Sequence, residues 1–393
     1  MVGIGEDGID GLSPRARALI GGAELVFGGQ RHLDLAATLI AGEARPWPTP
    51  FDVAAVVAAR GRAVCVLASG DPFLHGVGAT LARHIPPAEM EIVPAPSAFS
   101  LAAGRLGWAL TDVETISVHG RSRDLLRPLL HPGTRILVLT SDAEDPAAIA
   151  ALLAESGFGA SRLTLLEALG GAHERIRSAP ADGFDLGGIS PLNLLAIEVA
   201  GRDDARIIPL ATRADQLFDH DGQITKREIR AVTMSCLAPR RGELLWDIGA
   251  GSGSIGVEWL LAHPSMRAVA IEADDGRVAR IAGNAARFGV PGLAIVHGRA
   301  PAALAGLATP DAIFVGGGAT VPGVIEAAIA ALRPGGRLVV NAVTLETEAL
   351  LLARHAISGG ELIRLAISRA VPIGTMTGWH PAMPVTIWSW SKP

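Results

Sequence analysis

Leu244-Leu245-Trp246-Asp247-Ile248-Gly249-Ala250-Gly251-Ser252-Gly253-Ser254-Ile255-Gly256 is the stretch that decides the fold of this chain. Apolar residues lead into an acid, three alternating glycines follow, and Val257, Trp259 and Leu260 continue with helical spacing. This pattern predicts a strand, a tight turn and the start of a helix. Such a unit opens a nucleotide-type site in α/β folds, because glycine accepts positive φ and lets a ligand approach the backbone closely.

Two acids near this turn indicate which ligand it binds. The spacing Gly251-x-Gly253-x-x-Gly256 also satisfies a dinucleotide fingerprint. Asp247, however, ends the strand just before the glycines, where a buried carboxylate would repel a pyrophosphate. Glu272 closes the next predicted strand and could accept hydrogen bonds from a ribose diol. The two acids favour the cationic donor S-adenosylmethionine over NAD. As a strand-end acid that faces a cleft, Glu272 should contribute little to the stability of the fold.

Length and composition limit the class of protein. A chain of 393 residues is long enough for two or three domains. The net charge of −5 gives no overall basic footprint for nucleic acid, although it allows local basic patches. No apolar run reaches the roughly 18 residues of a membrane span. Cys65 and Cys236 lie in apolar segments, which is typical of buried thiols in a reducing compartment. We therefore expect a cytoplasmic protein that binds neither nucleic acid nor a membrane and holds no metal.

The first half is predicted to alternate short strands with helices. The predicted strands are 25–28, 63–68, 90–93, 116–120, 135–140, 163–167 and 194–199, and the predicted helices are 31–40, 52–60, one that begins at Ser13-Pro14 and one that Ser97 caps. Strand 63–68 runs into Ser69-Gly70-Asp71-Pro72, and ligand loops of open α/β sheets lie at this end of a strand. A plain Gly-Asp-Pro turn is the alternative.

A basic cluster follows strand 116–120. His119, Arg121, Arg123 and Arg127 lie within nine residues of one another. Together they could hold a polyanion. A solvated charged loop is the alternative interpretation.

The segment 201–216 is charged, contains Pro209 and breaks the β pattern, so we place a domain boundary there and expect domains 1–203 and 210–393.

The second half begins with a predicted helix, 225–237. Its predicted strands are 244–248, 268–272, 293–296, 312–315, 337–341, 362–366 and 385–390. Regular alternation of strands and helices predicts a parallel doubly wound sheet. The last two apolar runs fit an antiparallel edge.

Both halves resemble methyltransferase families. The first half resembles the tetrapyrrole methylases at 2–8, 28–32, 69–72, 96–97 and 119–121. The second half resembles the precorrin methyltransferase/decarboxylase family at 224–230, 246–253, 284, 288–289, 298–301, 314–318 and 341–346. The resemblance covers nearly the whole chain. It implies an α/β protein with an N-terminal two-lobed tetrapyrrole methylase fold, followed by a Rossmann-like doubly wound S-adenosylmethionine-dependent methyltransferase domain.

The start of the chain departs from the family pattern. Only Met1 precedes Val2, where tetrapyrrole methylases usually carry several more residues. Either the start is internal to the natural gene or the first strand is shortened.

The resemblance implies two methyl transfers from S-adenosylmethionine to C5 and C15 of the reduced tetrapyrrole precorrin-6B. Loss of carbon dioxide from the C12 acetate accompanies them, and the product is precorrin-8X of cobalamin biosynthesis. The second half resembles the enzyme for C15 methylation and decarboxylation, which leaves C5 to the first half. No Ser-His-Asp arrangement is needed, since a meso carbon is enamine-like and a sulfonium is already electrophilic. For the decarboxylation, His380, Glu346 and His75 are candidate acids or bases.

The resemblance also implies two sites for the methyl donor, a tetrapyrrole acceptor and a homo-oligomer. In the first half the donor residues would be Ile4, Ser69, Gly70, Asp71, Leu74, Ser97 and Ala98. In the second half they would be Thr225, Asp247, Gly249, Ala250, Gly251, Ser252, Gly253, Glu272 and Ala300. The substrate residues would be His119, Arg121 and Lys226. For Leu74, Ala98 and Ala300, ordinary packing is the alternative.

Three other functions are compatible with parts of the pattern. An NAD(P)-dependent reductase would leave Asp247 unexplained. A carrier for the donor or for the tetrapyrrole would bind tightly without turnover. A protein or RNA methyltransferase is disfavoured by the low charge, by the lack of interleaved aromatic and basic residues and by the fused first half.

Overall fold

The computed structural model describes residues 1–393 and divides into two compact units. The N-terminal unit comprises residues 1–123 and 129–206, and the C-terminal unit comprises residues 124–128 and 207–393. No helix in the chain combines the length and the apolar character needed to cross a membrane.

The N-terminal unit contains two sheets. Its elements are β1 Val2–Ile4, α1 Pro14–Gly21, β2 Leu25–Gly28, α2 Gln30–Leu35, β3 Glu43–Pro46, α3 Ala54–Ala58, β4 Val64–Ser69, α4 Val77–Leu81, α5 Ala98–Leu106, β5 Glu114–Ser117, β6 Arg135–Leu139, α6 Asp145–Glu155, β7 Arg162–Glu167, β8 Arg175–Pro180 and β9 Asn193–Glu198. The first sheet has the order β1-β4-β2-β3 and is parallel throughout. The second has the order β5-β6-β9-β7-β8, and only its β5–β6 pair is parallel.

The first sheet is buried on both faces. Val26 and Leu67 lie in one apolar cluster, whereas their chain neighbours Phe27 and Val66 lie in another. Successive side chains of a strand point to opposite faces, so the two clusters lie on the two sides of the sheet. Burial on both faces is typical of parallel sheets, whose strands are near-continuous apolar runs in the sequence.

The C-terminal unit is a doubly wound sheet with an antiparallel edge. Its elements are α7 Arg227–Leu237, β10 Leu244–Ile248, α8 Ser254–Leu261, β11 Arg267–Glu272, α9 Asp275–Arg287, β12 Ala294–His297, β13 Ala312–Val315, α10 Val324–Ala331, β14 Arg337–Ala342, α11 Leu345–Ser358, β15 Glu361–Leu365, β16 Ser368–Ile373, β17 Met376–Pro381 and β18 Val385–Ser391. The strand order is β12-β11-β10-β13-β14-β18-β15. The five strands from β12 to β14 are parallel, and β18 is antiparallel to both of its neighbours. The predicted parallel sheet and antiparallel edge are confirmed.

A buried ion network fixes the segment that leads into the C-terminal sheet. The Glu258 carboxylate on α8 accepts from Arg213 Nη1 at 2.5 Å and from Arg230 Nε at 3.2 Å, and these three side chains are almost fully buried. Arg230 on α7 also donates to the carbonyl of Thr225 at 2.6 Å. Because a buried charge without its partner is strongly destabilising, the network holds Thr225 in one place relative to the glycine turn after β10.

The element predictions are confirmed for the strands around the glycine turn and wrong in other parts of the chain. No strand forms at 90–93, where Val93 makes a single bridge to Val2, because Pro94 and Pro96 have no N–H to extend a ladder. The strand predicted at 116–120 is β5, Glu114–Ser117, so His119 lies beyond its end. Helices α2 and α3 are shorter than predicted. Strands β3, β8, β16 and β17 were not predicted, since their exposed residues show no apolar pattern.

Candidate active site

The N-terminal unit contains a cavity of about 790 Å³ at the carboxyl ends of β1 and β4. Its wall includes every residue that was predicted to bind the donor or the substrate in this half. These are Ile4, Ser69, Gly70, Asp71, Leu74, Ser97, Ala98, His119 and Arg121. The fold therefore brings together residues that lie more than a hundred positions apart in the chain.

Glycine is required where the backbone passes close to itself in this cavity. Gly70 has φ 54°, and a Cβ there would lie 2.9 Å from the carbonyl oxygen of Pro96. A Cβ on Gly3 would lie 2.5 Å from the backbone nitrogen of Ala95. Neither contact can be relieved by moving a side chain alone, so both glycines keep the cradle open.

Ser97 and Asp71 shape the loops on either side of this cradle. Ser97 caps α5 and its Oγ accepts from the Ser100 backbone N–H at 3.1 Å, as predicted for an N-cap. The Asp71 carboxylate accepts from the Phe73 backbone N–H at 2.8 Å. This is the local turn that a Gly-Asp-Pro sequence favours. Asp71 thus stabilises the turn and also lines the cavity.

Three further residues line this cavity, and none of them is among the predicted donor or substrate residues. Arg31 and His32 follow β2, and both contact Ser69: Arg31 Nη2 lies 3.0 Å and His32 Nε2 lies 2.8 Å from its Oγ. Arg31 forms an ion pair with Glu6. The Gly-Gly-Gln-Arg-His stretch could have pointed to Arg31 and His32 from sequence alone. Charged residues directly after a buried strand lie at the carboxyl edge of a parallel sheet, where ligands bind.

The C-terminal unit contains a cavity of about 570 Å³ above the carboxyl ends of β10 and β13. The strand order reverses between these two strands, and open α/β sheets bind ligands at such a switch point. Predicted residues on its wall are Thr225, Lys226, Gly249, Ala250, Gly251, Glu272 and Ala300. The exposed cations Lys226 and Arg299 border it.

The glycine turn of this cavity adopts the predicted conformation. Gly249, Gly251 and Gly253 have φ values of 69°, 59° and 75°, in the left-handed region that favours glycine. At Gly249 a Cβ would lie 2.9 Å from the backbone of Gly317, which follows β13. The turn therefore packs directly against the neighbouring loop and leaves the cavity above it free.

Glu272 organises the turn from the side. Its Oε2 accepts from the Gly251 backbone N–H at 2.8 Å, and its Oε1 accepts from Ala273 and Asp274 at 2.9 and 3.1 Å. The side chain is buried and also lines the cavity. The expectation that Glu272 contributes little to the fold is wrong, because three backbone N–H groups depend on its carboxylate.

Asp247, Ser252 and Gly253 lie behind the turn, fully or almost fully buried, and do not line the cavity. Asp247 Oδ2 accepts from the Gly256 backbone N–H at 3.0 Å, whereas Oδ1 has no partner. Burial raises the pKa of Asp247 to about 7; the Gly256 hydrogen bond opposes this rise and the nearby Glu272 carboxylate adds to it. Asp247 thus holds the start of α8 through Gly256 and, when it is ionised, adds a negative charge beneath the turn.

The three candidate acids or bases for decarboxylation do not meet at the second cavity. His75 lines the cavity of the N-terminal unit, where it adopts a φ of 56°. Glu346 lies in the first turn of α11, and His380 lies on the exposed strand β17. Neither of the latter two lines a cavity described above. No cluster of three or more His, Cys, Asp or Glu side chains is placed to hold a metal ion.

The second cavity fits an adenosyl donor that carries a positive charge. The left-handed glycines allow close approach to the backbone, Glu272 places a carboxylate at the end of β11, and Asp247 presents an unpartnered buried oxygen beneath the turn. Two acids below the turn would repel a pyrophosphate and attract a sulfonium. When bound, such a donor supplies an electrophilic methyl group. The first cavity offers a comparable open cradle at Gly70.

Comparisons with known proteins agree with this geometry. The family model of tetrapyrrole (corrin/porphyrin) methylases matches residues 1–185, and that of the precorrin methyltransferase domain matches residues 216–392. Fold and site therefore define an S-adenosylmethionine-dependent methyltransferase that combines a tetrapyrrole methylase domain with a precorrin methyltransferase domain.

Relatives along the whole chain identify the family. A precorrin-6Y C(5,15)-methyltransferase (decarboxylating) from Sinorhizobium sp is 62% identical, covering 100% of this chain and 96% of the relative. One from Mycobacterium tuberculosis is 42% identical, covering 100% and 99%. A cobalt-precorrin-6B C(15)-methyltransferase (decarboxylating) from Salmonella typhimurium is 34% identical over 44% of this chain and 92% of the relative. The chain belongs to the family of decarboxylating precorrin-6Y C(5,15)-methyltransferases.

Replacing Glu272 tests its role at the donor site. Glu272→Ala should weaken S-adenosylmethionine binding by about 1.5–3 kcal/mol, the scale for a hydrogen bond to a charged group. It should also lower the melting temperature, because Gly251, Ala273 and Asp274 lose their acceptor. Isothermal titration and thermal unfolding measure the two effects. Asp275→Ala, which removes an exposed acid at the first residue of α9, is the control. Unchanged affinity in Glu272→Ala would exclude the ribose contact.

The buried acid predicts a pH dependence of stability. The pKa of Asp247 is about 7 in the fold against 3.8 in the reference state. Between these values the unfolded chain ionises while the folded chain keeps its proton, so this group lowers the unfolding free energy as pH rises from about 4 to 7.

Asp247→Asn removes this titration and keeps an acceptor for Gly256. At pH 8 we expect it to stabilise the chain by about 1–4 kcal/mol, since one pKa unit corresponds to about 1.4 kcal/mol. Near pH 4 the gain should vanish. Melting temperatures of variant and parent across this range measure the difference. A variant that is equally or less stable at pH 8 contradicts the raised pKa.

Proposed function

We propose that this chain transfers methyl groups from S-adenosylmethionine to C5 and C15 of precorrin-6B and removes the C12 acetate carboxyl group as carbon dioxide. The product would be precorrin-8X of cobalamin biosynthesis. One observation carries the proposal: each unit has its own cavity at the carboxyl ends of parallel strands, bordered by a loop in which glycine is obligatory. The names of the full-length relatives support the same pair of positions.

The side chains fit a reaction in which the protein mainly places its reactants. A meso carbon of a reduced tetrapyrrole is an enamine-like nucleophile, so in-line alignment can supply roughly 7–11 kcal/mol of the barrier. His119 and Arg121 at the first cavity and Lys226 and Arg299 at the second are suited to the carboxylates of the macrocycle. Decarboxylation needs an electron sink, which the protonated macrocycle itself provides.

The two activities are assigned to different units. We assign C5 methylation to the first cavity, and C15 methylation with decarboxylation to the second. A relative named for C15 methylation and decarboxylation alone aligns with only 44% of the chain, which supports a single unit as the carrier of both steps. On this assignment each cavity needs its own donor site, and the acceptor leaves one cavity before it reaches the other unless a partner chain brings the two sites together.

Disabling one glycine loop at a time tests this division. Gly251→Asp places a charge where the donor approaches, at a φ of 59° that is unfavourable for a side chain. The variant should lose C15 methylation and carbon dioxide release but keep C5 methylation. Gly70→Asp, whose Cβ would meet Pro96 and Ser97, should give the converse product. Labelled donor with mass and NMR analysis of the products separates the cases. Release of carbon dioxide at the normal rate by Gly251→Asp would refute the assignment.

Separate fragments test whether the domains 1–203 and 210–393 are independent. The charged segment between them supports a boundary, and each side has its own buried clusters. Fragments 1–205 and 210–393 should each fold and bind one equivalent of S-adenosylmethionine. Isothermal titration of each fragment measures this. A folded second fragment that does not bind the donor would contradict the proposal.

The hairpin β16–β17 supports a homo-oligomer. Ile373, Met376 and Trp379 on it are 63%, 78% and 75% exposed. A two-stranded hairpin is only marginally stable in water by itself, and large exposed apolar side chains mark interaction surfaces. We propose that a second copy of the chain covers it. Replacing Met376 and Trp379 by Ser should lower the mass measured by light scattering, whereas an unchanged mass would exclude this contact.

The proposed setting is the cytoplasm. Cys65 and Cys236 are both free thiols, which fits a reducing compartment. A tetrapyrrole acceptor, and not a nucleic acid, fits the net charge of −5.

A further inference from the structure

A connected set of polar side chains lines the first cavity, and of its members only Ser69 has been given a role above, in donor binding. Ser69 is the last residue of β4, lies next to Gly70 and is exposed. Arg31 and His32, from the start of α2, both reach this hydroxyl, and Arg31 also pairs with Glu6. All four residues border the cavity.

The geometry fixes the direction of these hydrogen bonds. A guanidinium can only donate, so Arg31 Nη2 donates to Ser69 Oγ at 3.0 Å and to His32 Nε2 at 2.9 Å. The Ser69 hydroxyl proton is then directed to His32 Nε2, which lies 2.8 Å away. Nε2 therefore accepts, and the imidazole proton is on Nδ1. The result is a serine hydroxyl polarised by a cation on one side and joined to a basic nitrogen on the other.

His32 is held in its neutral form. Burial and the adjacent Arg31 lower its pKa to about 4. At neutral pH Nε2 is therefore unprotonated, and its single lone pair is shared between the Arg31 N–H and the Ser69 hydroxyl. Glu6, which pairs with Arg31, is the carboxylate of this cluster and partly offsets the charge of Arg31. Other charged or titratable groups on the cavity wall are Asp71, His75, His119 and Arg121.

Methylation at a meso carbon creates a need for such an acceptor. Before the transfer the carbon bears one hydrogen in an unsaturated system. Forming the new carbon–carbon bond makes it tetrahedral and leaves an iminium in the ring. The hydrogen on this carbon is then strongly acidified, so even a weak base can remove it and restore the double bond.

We propose that Ser69 and His32 form the proton relay that removes the C5 hydrogen after methylation in the first cavity. This rests on the proposed function of that cavity. The ring π electrons form the C5–CH3 bond as the donor's carbon–sulfur bond breaks, with its electron pair going to sulfur. The C5–H bond then breaks and its pair returns to the ring. The proton passes to Ser69 Oγ while the hydroxyl proton of Ser69 passes to His32 Nε2, and His32 releases it to solvent.

The other histidines of the cavity are less suited to this role. His75 packs edge-on against Phe99, with ring centroids 6.2 Å apart. His119 Nδ1 lies 3.3 Å from the carbonyl oxygen of Thr140. Neither makes a hydrogen bond to Ser69, whereas His32 does.

His32→Gln separates proton acceptance from positioning. Its amide oxygen can still accept from the Ser69 hydroxyl but does not take up a proton. We expect kcat for C5 methylation to fall by about 10²–10⁴-fold, the usual contribution of a general base. The KM for the donor and its titrated affinity should remain unchanged. Ser69→Ala, which breaks the relay at its first member, should lower the same kcat.

A kinetic isotope effect distinguishes a role in proton removal from a purely structural role, because a structural role would not change it. With precorrin-6B deuterated at C5, a primary effect on kcat should appear in His32→Gln, because loss of that hydrogen becomes rate-limiting. His84→Asn, at an exposed histidine outside the cavity, is the matched control and should behave like the parent.

Three outcomes are decisive. A slower His32→Gln with the isotope effect and normal donor affinity supports the relay. Full C5 methylation by His32→Gln, or a loss confined to donor affinity, overturns it. If the parent enzyme binds the donor at the first cavity but never methylates C5, the proposed function is refuted. The parent enzyme alone gives this result, before any variant is compared with it.

Discussion

Parallel pairing of β10 with β11 and β13 is the constraint on which the C-terminal site depends. Because parallel strands end at one edge of the sheet, their three following loops must converge there. Gly249 packs against Gly317, and Glu272 from the end of β11 accepts the Gly251 N–H. A side chain at Gly249 would push the loop after β10 away from the loop after β13, so this glycine is needed for the parallel pairing of β10 with β13.

The same edge holds two acids, Asp247 and Glu272, and neither forms an ion pair within the protein. Asp247 is fully buried with one oxygen unpartnered, and Glu272 adds to its raised pKa. Keeping an uncompensated acid in the interior is unfavourable for stability. Such an arrangement is expected at a functional site, since a cation bound above the turn would interact favourably with both acids.

The two units form their donor-type cavities from different structural elements. In the C-terminal unit the cradle is one turn after the first strand of a doubly wound sheet. In the N-terminal unit it is formed where Gly3 and Gly70 approach the segment around Ala95 and Pro96. The first cavity also contains the Arg31–Ser69–His32 cluster, for which the second has no counterpart on its wall. This difference suits units that modify different positions of one macrocycle.

The sequence by itself determined the elements in which local pattern and burial agree. The strand at 244–248, the left-handed glycines and the cap at Ser97 follow from apolar runs, conformational freedom and hydrogen bonding within a few residues. The resemblance further implied two sets of site residues: all of the first set line one cavity, and the second set lines the other except for Asp247, Ser252 and Gly253. Tertiary structure alone decided that Glu272 supports three backbone amides, that Asp247 lies behind the turn, and that His32 meets Ser69 across 37 positions. The Glu272–Gly251 and His32–Ser69 contacts join residues that lie at or just beyond the ends of different strands. No local pattern records which of these ends a sheet will bring together.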